Sequence, residues 1–323
     1  MTRSQSEGGT KRPPHKLATA LLSKQGLVVA KLASELLHSI AGERIGRIEA
    51  YAERFDVSVG TVQMALGYLQ STEAADFDVR GRLGSFVRQL DYPLLWLLAL
   101  NRPISGALPL PYSRHFEGLA TGIRLQFEQQ ALDLDLRFMR GSAQRLQALA
   151  SWTSDWALVS RFAAETAEAH GFEVEIVLLL GPESYLGQHM LLLRPGATDL
   201  ADGMRVGVDM QSSDHVYSVR AAIRGHSVEL VEIDYSQGLE QLVAGAIDAT
   251  VWSQENIPAG LPIVRVYPSN LQTDPTLARL SEGAIVVGRG NRAMLNILHA
   301  TLDLAQLRAI EQEVVGLVRR PAY

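Results

Sequence analysis

The sequence predicts an α/β protein with two parts of different construction. Up to about residue 90, apolar residues recur at the spacing of amphipathic helices and are followed by one hairpin pattern. Beyond residue 103, short apolar runs alternate with helical stretches, which is typical of βα units. A chain of 323 residues is also too long for one ordinary hydrophobic core. We therefore expect four segments: a flexible tail (1–24), a first domain (25–90), a linker (91–102) and a larger domain (103–323).

Composition and the lack of cysteine indicate a cytoplasmic protein. Hydrophobic residues make up 47% of the chain and charged residues 20%, as in soluble globular proteins. No Cys is present, which excludes a disulfide framework and a thiolate metal site. The first thirty residues contain no apolar core of the length that a secretory signal requires. The longest apolar run, PLLWLLAL (93–100), is too short to span a bilayer, so we interpret it as a buried or interfacial strand and expect no membrane partner.

Charge is distributed unevenly along a chain whose net charge is −5. Residues 1–90 hold twelve Lys or Arg against nine Asp or Glu, whereas residues 91–323 hold 18 against 26. The first part is therefore net positive and the second net negative. Only the first part has the sign that contact with DNA phosphates requires.

Two amphipathic helices are predicted at the start of the first domain. In VVAKLASELLHSI (28–40), apolar residues at spacings of three and four form a stripe that continues to Ile40, and Gly42 ends the helix. RIEAYAERF (47–55) has the same periodicity over a shorter length. Both helices are expected to turn their apolar faces towards a shared core.

A third helix and a hairpin complete the first domain. DVSVGTVQMALGYLQ (56–70) places four apolar residues on one face, with Asp56 or Ser58 available as the N-cap. FDVRGRLGSFV (77–87) contains two alternating segments around a glycine-containing turn, which reads as a hairpin. Three helices followed by a hairpin form a winged helix-turn-helix, in which the third helix would enter the major groove of DNA.

The predicted partner of this domain is a double-stranded DNA operator. Gln63 can pair with adenine through two hydrogen bonds, and Ser58 and Thr61 can bond phosphates or bases. Positive charge comes from the entry to the second helix and from the wing. The candidate DNA contacts are Arg44, Arg47, Ser58, Gly60, Thr61, Gln63, Arg80, Arg82 and Gly84. Because the third helix carries no Lys or Arg, a winged helix used for dimerisation or protein contact stays open as the alternative.

The larger domain is predicted to have two lobes of mostly parallel sheet with a cleft between them. Ten candidate strands are GALPL, LDLRFM, WALVS, VEIVLLL, HMLLLR, RVGVD, VELVEID, DATVW, PIVRVY and GAIVVG. Helical stretches such as 114–130 and 213–225 are long enough to cover the sheets. A change of pattern near 174–210 indicates that the chain crosses from one lobe to the other. Clefts of this kind bind small molecules.

Candidate ligand contacts lie where strands end and helices begin, because open α/β sheets bind ligands there and helix N-termini favour anions. Three of the five junctions contain Arg together with Ser, which predicts a small anionic metabolite as the effector. The candidates are Tyr112, Ser113, Arg114, Arg140, Gly141, Ser142, Ser160, Arg161, Asp209, Ser212, Ser213, Asp234 and Trp252. The alternative for each Arg is a surface ion pair, and the alternative for Trp252 is a place in the core.

Catalytic and cofactor-binding patterns were tested and none is supported. Ser213, Asp214 and His215 are adjacent, but neighbouring residues on a helix point about 100° apart and do not converge as a triad. The eight His include no pair at a spacing of four and have no Cys partner, so no metal site is expected. No phosphate-binding GxxxxGK[ST] is present, and no GxGxxG follows a strand. We expect neither an enzyme nor a cofactor.

Several segments resemble known families. GERIGRIEAYAERFDVSVGTVQMALGYLQSTEAADFDVRGRLGSFV (42–87) resembles the winged helix of GntR-type regulators, which commonly carry Arg at the positions matching Gly60 and Gln63. LPLPYSRHFEGLATGI (108–123), MRGSAQRL (139–146), LVSRFAAE (158–165) and DATVW (248–252) resemble the YhfZ family of transcriptional regulators. That resemblance implies a winged helix joined to a domain shaped like a type 2 periplasmic binding protein. It does not supply the effector.

Two classes of function follow from these observations. The first is a transcription regulator that responds to a small effector, favoured by a basic wing that a solute-binding protein would not need. The alternative is a small-molecule-binding protein or enzyme with a degenerate winged helix used for dimerisation. A regulator is expected to be a homodimer, because specificity normally comes from two half-sites about 34 Å apart. The apolar stretch from Leu94 to Leu100 is a candidate for part of that dimer contact.

Overall fold

The computed structural model describes residues 24–99, 102–187, 189–254, 257–258, 260–268, 271 and 273–323. Most of the predicted tail (1–24) and two residues of the predicted linker lie outside these ranges. Contacts between Cα atoms divide the chain into two compact units, Met1–Arg102 and Pro103–Tyr323. Each unit is described by itself below.

The first unit has the predicted winged helix-turn-helix fold. Its helices are α1 (Lys24–Leu36), α2 (Ile48–Phe55), α3 (Val59–Ser71) and α4 (Tyr92–Ala99). Its strands β1 (Ala75–Val79) and β2 (Ser85–Leu90) pair antiparallel as the wing and are joined by a 3-10 turn over Gly81–Leu83. The buried faces of α1, α2 and α3 meet in a common core, as their apolar stripes require.

Caps set the helix boundaries in this unit and correct two predictions. Ser58 is the N-cap of α3, whereas Asp56 takes a left-handed conformation (φ 55°) and ends α2. Asp56 is therefore not an N-cap. The first helix ends at Leu36, six residues before Gly42, and Ile40 lies beyond it with 44% of its surface exposed. The apolar stripe continues past the helix because residues just after it still pack against the same core.

Residues 93–99 of the apolar run 93–100 lie in a helix, not in the strand predicted from the sequence. Asp91 accepts a hydrogen bond from the backbone N–H of Leu94 at 2.9 Å and starts α4. Leu95, Trp96 and Leu98 are buried, and α4 packs against α1. A short run that is apolar on all sides has no period from which helix and strand can be distinguished. No helix among the described residues has both the length and the apolar character needed to cross a bilayer.

The second unit contains two five-stranded sheets, one in each of two lobes. The first-lobe sheet has the order β4-β3-β5-β12-β6, with bounds β3 (Ile104–Pro109), β4 (Leu134–Met139), β5 (Trp156–Ser160), β6 (Val174–Leu179) and β12 (Gly283–Gly288). The second-lobe sheet has the order β11-β7-β10-β8-β9, with bounds β7 (His189–Leu193), β8 (Arg205–Val208), β9 (Glu229–Glu232), β10 (Ala249–Ser253) and β11 (Val264–Val266). All ten predicted strands are present, and the predicted two-lobed α/β fold is confirmed.

Helices cover both sheets. Those of the first lobe are α5 (Arg114–Gln129), α6 (Gly141–Ala150), α7 (Arg161–Thr166), α10 (Thr276–Ser281), α11 (Arg292–Thr301) and α12 (Leu304–Val315). Those of the second lobe are α8 (Ser213–Ala222) and α9 (Gly238–Val243). In the first lobe, α6 and α7 cover one face of the sheet, and α5 packs on the other face, where Phe127 meets Trp156.

The sheets are mostly parallel, as predicted, with four strands in one direction and one reversed strand in each. In the first lobe, β12 pairs antiparallel with both of its neighbours, and in the second lobe β7 does the same. These are the first strands that the chain forms after each passage between the lobes. The first passage, between β6 and β7, lies within the predicted interval 174–210. The reversal of β12 and β7 was not predictable because an apolar run has the same pattern in either direction.

Candidate functional site

Strand-to-helix junctions of both lobes converge on one cleft, and all five lie where the sequence placed them. Their N-cap residues are Ser113, Arg140, Ser160, Ser212 and Asp234, the last preceding a 3-10 helix. The first three belong to the first lobe and the last two to the second. A hydroxyl or carboxylate side chain that accepts a free helix N–H explains why four of these helices begin there, whereas the Arg140 side chain forms no such cap.

Arg140 joins the two lobes through an ion pair. Its Nε and Nη2 atoms donate to the two carboxylate oxygens of Asp209, each at 3.1 Å, and its Nη1 donates to Asp234 at 2.7 Å. The hydrogen bond to Asp209 raises the pKa of Arg140. The Arg140 guanidinium is therefore bound to two carboxylates of the other lobe rather than directed at a ligand.

The lobes also touch beside this ion pair. The hydroxyls of Ser142 and Ser213 lie 3.0 Å apart, one from each lobe. Gly141 has a φ of +69°, and a Cβ atom there would lie 2.2 Å from the backbone oxygen of Gln211. Only glycine fits this close approach, so the contact between the lobes depends on the residue at position 141.

A cavity of about 60 Å³, named here the central cavity, lies next to these contacts. Four of the predicted ligand residues line it: Tyr112, Gly141, Asp209 and Ser212. Seven polar or aromatic residues that the sequence analysis did not select also line it: Phe116, Arg145, Tyr185, His189, Asp214, His215 and Tyr235. The cavity therefore combines predicted junction residues with side chains from within helices and from the passage between the lobes.

Arg145, on α6, is a buried cation at the wall of the central cavity. Only 3% of its surface is exposed. Its Nη1 donates to the backbone oxygen of Met139 at 2.9 Å, and its Nη2 donates to the hydroxyl of Tyr185 at 2.7 Å. Its Nε is buried without a hydrogen-bond partner, and no carboxylate of the described residues forms an ion pair with it. A buried charge is costly unless it is paired, so this guanidinium is suited to an anionic partner.

Asp214, in the first turn of α8, is a buried carboxyl on the wall of the same cavity. The Ser160 hydroxyl, which caps α7, donates to Asp214 Oδ1 at 2.5 Å across the lobes. Burial raises the pKa of Asp214 to about 6, while Ser160 and Arg145 act in the opposite direction. Within the described part of the chain, Oδ2 of Asp214 accepts no hydrogen bond, and the residue is only 4% exposed.

An aromatic group forms the second-lobe wall of the cavity. Tyr235 stacks on Trp252 with ring centroids 4.1 Å apart and meets the edge of His215 at 5.2 Å. Trp252 lies behind Tyr235 in the core and does not line the cavity. Tyr112, from the first lobe, approaches Tyr235 with a centroid distance of 5.7 Å.

His215 is neutral, and both of its ring nitrogens form hydrogen bonds with backbone groups. Its Nδ1 accepts the backbone N–H of Asp209 at 2.8 Å, so the ring proton is on Nε2, which donates to the Val251 oxygen at 3.0 Å. Burial lowers the pKa of His215 to about 4. Fixed in this way, His215 positions the Asp209 carboxylate that meets Arg140.

None of the three predicted arginines lines the central cavity. Arg161 pairs with Glu165 at 2.6 Å and with Glu282 at 3.0 Å, which is the surface ion pair considered as its alternative role. Arg114 is exposed at the start of α5 and does not line the cavity. Ser113 beside it is buried and accepts the backbone N–H of Phe116. The cation that does reach the cavity is Arg145.

On the winged helix, α3 presents an uncharged outer face. The Ser58 hydroxyl accepts the backbone N–H of Thr61 at 3.2 Å and lies 2.9 Å from its hydroxyl, so both side chains take part in capping. Gly60 and Gln63 are exposed as predicted, and Met64 beside them is 56% exposed. Met64 was not selected from the sequence because methionine in a helical pattern is more often part of a core.

The predicted basic residues of this unit fall into two groups. Arg80 pairs with Asp78 at 2.7 Å and lies over the ring of Phe86. In contrast, Arg44, Arg47 and Arg82 form no ion pair with any described residue. At the wing, Gly84 has a φ of +93°, and a Cβ atom there would lie 2.8 Å from Nε of Arg44. Gly84 therefore leaves space for the Arg44 side chain beside the wing.

Comparison with known proteins identifies the family. The YhfZ C-terminal domain model matches residues 91–323, and a helix-turn-helix domain model matches residues 40–87. A YhfZ protein of Escherichia coli (strain K12) is 33% identical over 305 residues, which cover 94% of this chain and 98% of that protein. The chain belongs to the YhfZ family. A helix-turn-helix domain joined to a YhfZ C-terminal domain is the organisation of a DNA-binding regulator.

A solved structure of the family agrees with this assignment. The crystal structure of YhfZ from Shigella flexneri is similar with a TM-score of 0.60 and 31% identity, over 72% of this chain and 98% of that chain. The periplasmic VFT2 domain of Bordetella pertussis BvgS has a TM-score of 0.48 and 14% identity, over 67% and 96% of the two chains. The second unit, which the YhfZ C-terminal domain model matches, has two lobes with one five-stranded sheet in each.

Proposed function

We propose that this YhfZ-family chain is a cytoplasmic transcription regulator whose second unit binds a small anionic metabolite and thereby changes its affinity for an operator. The observation that carries the proposal is Arg145, a buried guanidinium on the wall of the central cavity whose Nε has no hydrogen-bond partner among the described residues. An anionic group at this position would gain a charge-assisted hydrogen bond in a site already removed from water.

Tyr185 strengthens the case for an anion at Arg145. Its hydroxyl accepts the Nη2–H of Arg145, so its own proton is directed elsewhere, and within the described residues that proton has no acceptor. Tyr185 lines the cavity and is buried. The Nε–H of Arg145 and the O–H of Tyr185 are therefore two donors available to one carboxylate or phosphate group.

The DNA side of the proposal rests on α3 and the basic residues around it. Gln63 is exposed on α3 and suited to adenine, and Met64 beside it can contact the methyl group of thymine. Arg44, Arg47 and Arg82 would meet phosphates, because no protein carboxylate competes for them among the described residues. We propose an operator in which A·T pairs occupy the positions under α3.

A homodimer completes the proposal. One winged helix offers one recognition helix, and two half-sites about 34 Å apart are needed for ordinary operator specificity. The stretch from Leu94 onwards is not available as the dimer contact suggested by the sequence, because Leu94, Leu95, Trp96 and Leu98 are buried within the first unit. The contact would have to be made by other surfaces, and light scattering of the full chain measures the oligomeric state.

The experiment that tests the proposal is an electrophoretic mobility shift with the region upstream of the gene, repeated with candidate ligands. A ligand that changes DNA affinity tenfold must have its own affinity changed tenfold by DNA, a coupling of about 1.4 kcal/mol. A shift that responds to a small anion, and whose response is lost in Arg145→Gln, supports the proposal. A ligand that binds at the cavity without altering DNA affinity would contradict the sensor role.

A second candidate function is a small-molecule-binding protein that uses its winged helix for dimerisation. It is favoured by one observation, the uncharged face of α3 with Met64 exposed. This function predicts no DNA shift even at about 50 mM salt, where phosphate contacts are strong. It also predicts that Met64→Glu converts a dimer into a monomer, which the regulator does not require.

A further inference from the structure

Arg145 and Asp214 carry opposite charges on the walls of one cavity, yet they do not form an ion pair. Both side chains are almost completely buried, and both line the central cavity. Within the described residues, neither takes part in a salt bridge with any group. Buried opposite charges normally gain from direct contact, because each is costly to leave unpaired. Their separation therefore requires an explanation.

Other groups hold the two charges apart. Arg145 is fixed by the backbone oxygen of Met139 and the hydroxyl of Tyr185. Asp214 is fixed by the hydroxyl of Ser160. Each of these anchors leaves one strong hydrogen-bonding atom unsatisfied, Nε of Arg145 and Oδ2 of Asp214. The wall of the cavity thus includes one residue with an unsatisfied donor and one with an unsatisfied acceptor.

We propose that the ligand of the central cavity is a zwitterion, with a carboxylate bound by Arg145 and Tyr185 and an ammonium group bound by Asp214. This inference rests on the proposed function, namely that the cavity binds a small anionic metabolite, and adds a cationic group to that metabolite. The rings of Tyr112 and Tyr235 would border the carbon atoms between the two charges, or the ammonium group itself.

Ionisation of the two side chains agrees with this assignment. Arg145 is charged at any ordinary pH because a guanidinium does not lose its proton in proteins. Burial raises the pKa of Asp214 only to about 6, which leaves it ionised at neutral pH. Of the other titratable groups on the cavity wall, His215 is held as an uncharged ring, burial raises the pKa of Tyr185, and the Asp209 carboxylate is paired with Arg140.

Competing ligand classes leave a charge unmatched. A dicarboxylate would place its second negative group beside Asp214 and near Asp209, and like charges at close range repel. A neutral polyol would pair neither Arg145 nor Asp214 with an opposite charge. The cavity volume of about 60 Å³ favours a ligand with few carbon atoms. A short amino acid therefore fits the observed charges and size better than either alternative.

The test uses sets of compounds that share a carbon chain and differ only in charge. Glycine, β-alanine, 4-aminobutyrate and the common L-α-amino acids are titrated into the full-length protein by calorimetry. Each is compared with the carboxylate that lacks its ammonium group, the amine that lacks its carboxylate, and succinate as a dicarboxylate. At least one zwitterion should bind about ten- to a hundredfold more tightly than its matching carboxylate, the range expected for a charge-assisted hydrogen bond.

Variants assign the ammonium contact. Asp214→Asn keeps the shape and the acceptor for Ser160, and it should weaken zwitterion binding at least about tenfold while leaving carboxylate binding unchanged. Asp202→Asn is the matched control, because Asp202 is a second-lobe carboxylate with 72% of its side chain exposed and does not line the cavity. It should bind all compounds as the parent does.

The outcomes separate this inference from the proposed function. If succinate or a simple carboxylate binds as tightly as every zwitterion, the cavity is an anion site and the zwitterion inference is wrong, although the proposed function stands. Equal affinity of Asp214→Asn and the parent for the best zwitterion would also overturn it. If no compound of any class binds, the inference and the anion-binding part of the proposed function fail together.

Discussion

The guanidinium of Arg140 forms two parallel hydrogen bonds of 3.1 Å with the carboxylate of Asp209, and the two residues belong to different lobes. The Asp209 side chain is only 1% exposed. The pair therefore neutralises a buried charge in the second lobe with a cation from the first lobe. The stability of the second unit and the contact between its lobes therefore both depend on the Arg140–Asp209 ion pair.

Replacement of Arg140 should destabilise the protein more than replacement of a neighbouring arginine. Arg140→Gln leaves Asp209 buried without its cation, which should lower the free energy of unfolding by about 3 kcal/mol. Arg137→Gln is the control, because Arg137 on the same strand pairs with the exposed Asp135 and should cost less than about 1 kcal/mol. Urea unfolding measures both. The double variant Arg140→Gln/Asp209→Asn should recover part of the loss, and an unchanged deficit there would contradict this account.

A methyl group at Gly141 should separate the lobes. In Gly141→Ala, the Cβ atom would lie 2.2 Å from the backbone oxygen of Gln211. The alanine would also have to adopt the left-handed backbone conformation of Gly141 (φ +69°). Gly171→Ala is the matched control, because its φ is +81° and no atom lies within 4 Å of its Cβ position. The control should cost about 1–2 kcal/mol for the strained backbone alone. Only Gly141→Ala should also raise the radius of gyration measured by small-angle scattering; equal behaviour of the two variants would argue against a tight lobe contact.

The pH dependence of stability should change when Asp214 is replaced. Burial raises the pKa of Asp214 from its ordinary value of 3.8 to about 6, so the folded protein holds this proton more tightly and loses stability as pH rises through that window. Asp214→Asn removes the loss. The free energy of unfolding of Asp214→Asn, relative to that of the parent, should therefore rise by about 3 kcal/mol between pH 3.8 and 7. Most of this rise should be complete by pH 6.

The neighbouring His215 acts in the opposite direction. Burial lowers the pKa of His215 from 6.5 to about 4, so its contribution to stability is complete above 6.5 and is lost as pH falls towards 4. This contribution is common to the parent and to Asp214→Asn, and it cancels in their difference. Urea unfolding at a series of pH values gives that difference directly. A constant difference across the series would show that Asp214 has an ordinary pKa.

Arginines of the wing should differ in their effect on DNA binding. Arg82→Ala should weaken binding to every sequence and reduce the salt slope by about one unit, because Arg82 has no ion-pair partner among the described residues. Arg80→Ala should have a smaller effect, since Arg80 is already paired with Asp78 at 2.7 Å. Fluorescence anisotropy over a range of salt concentrations measures the two slopes. Equal slopes would show that the pairing with Asp78 is not maintained on DNA.

Base preference should depend on α3 rather than on the wing. Gln63→Ala removes the adenine contact and should relax discrimination at one position by about 1–3 kcal/mol, with little change in the salt slope. Met64→Ala should weaken the preference for thymine at the adjacent position. Binding to a library of operator variants measures both effects. A uniform loss on all sequences would place these residues against phosphates instead of bases.

Local signals explain why much of the fold and the cleft was predictable. A hydroxyl or carboxylate cap after an apolar run marks the end of a strand and the start of a helix, and Ser113, Ser160, Ser212 and Asp234 all lie at such positions. The cap is a contact within three residues, so it can be read from the sequence. The position of the cleft followed from these junctions.

The cation of the central cavity could not be found in this way. Arg145 lies inside a helix, where a polar residue is ordinarily expected to face solvent. Its burial depends on Tyr185, which is 40 residues away in the chain and belongs to the passage between the lobes. Arg140 and Arg161 carried the expected junction signal but are bound to carboxylates from distant segments. The local sequence pattern therefore predicts where the cleft lies, but tertiary contacts determine which arginine lines the central cavity.

The position of β12 constrains the order in which parts of the protein can fold during synthesis. β12 lies between β5 and β6 in the first-lobe sheet, although it follows the whole second lobe in the chain. The winged helix and all five second-lobe strands leave the ribosome before Gly283, so each can complete its own core early. Until then β6 has no strand beside it and is open to wrong pairing. The first-lobe sheet, which forms one side of the cleft, is therefore completed only after the whole second lobe has been synthesised.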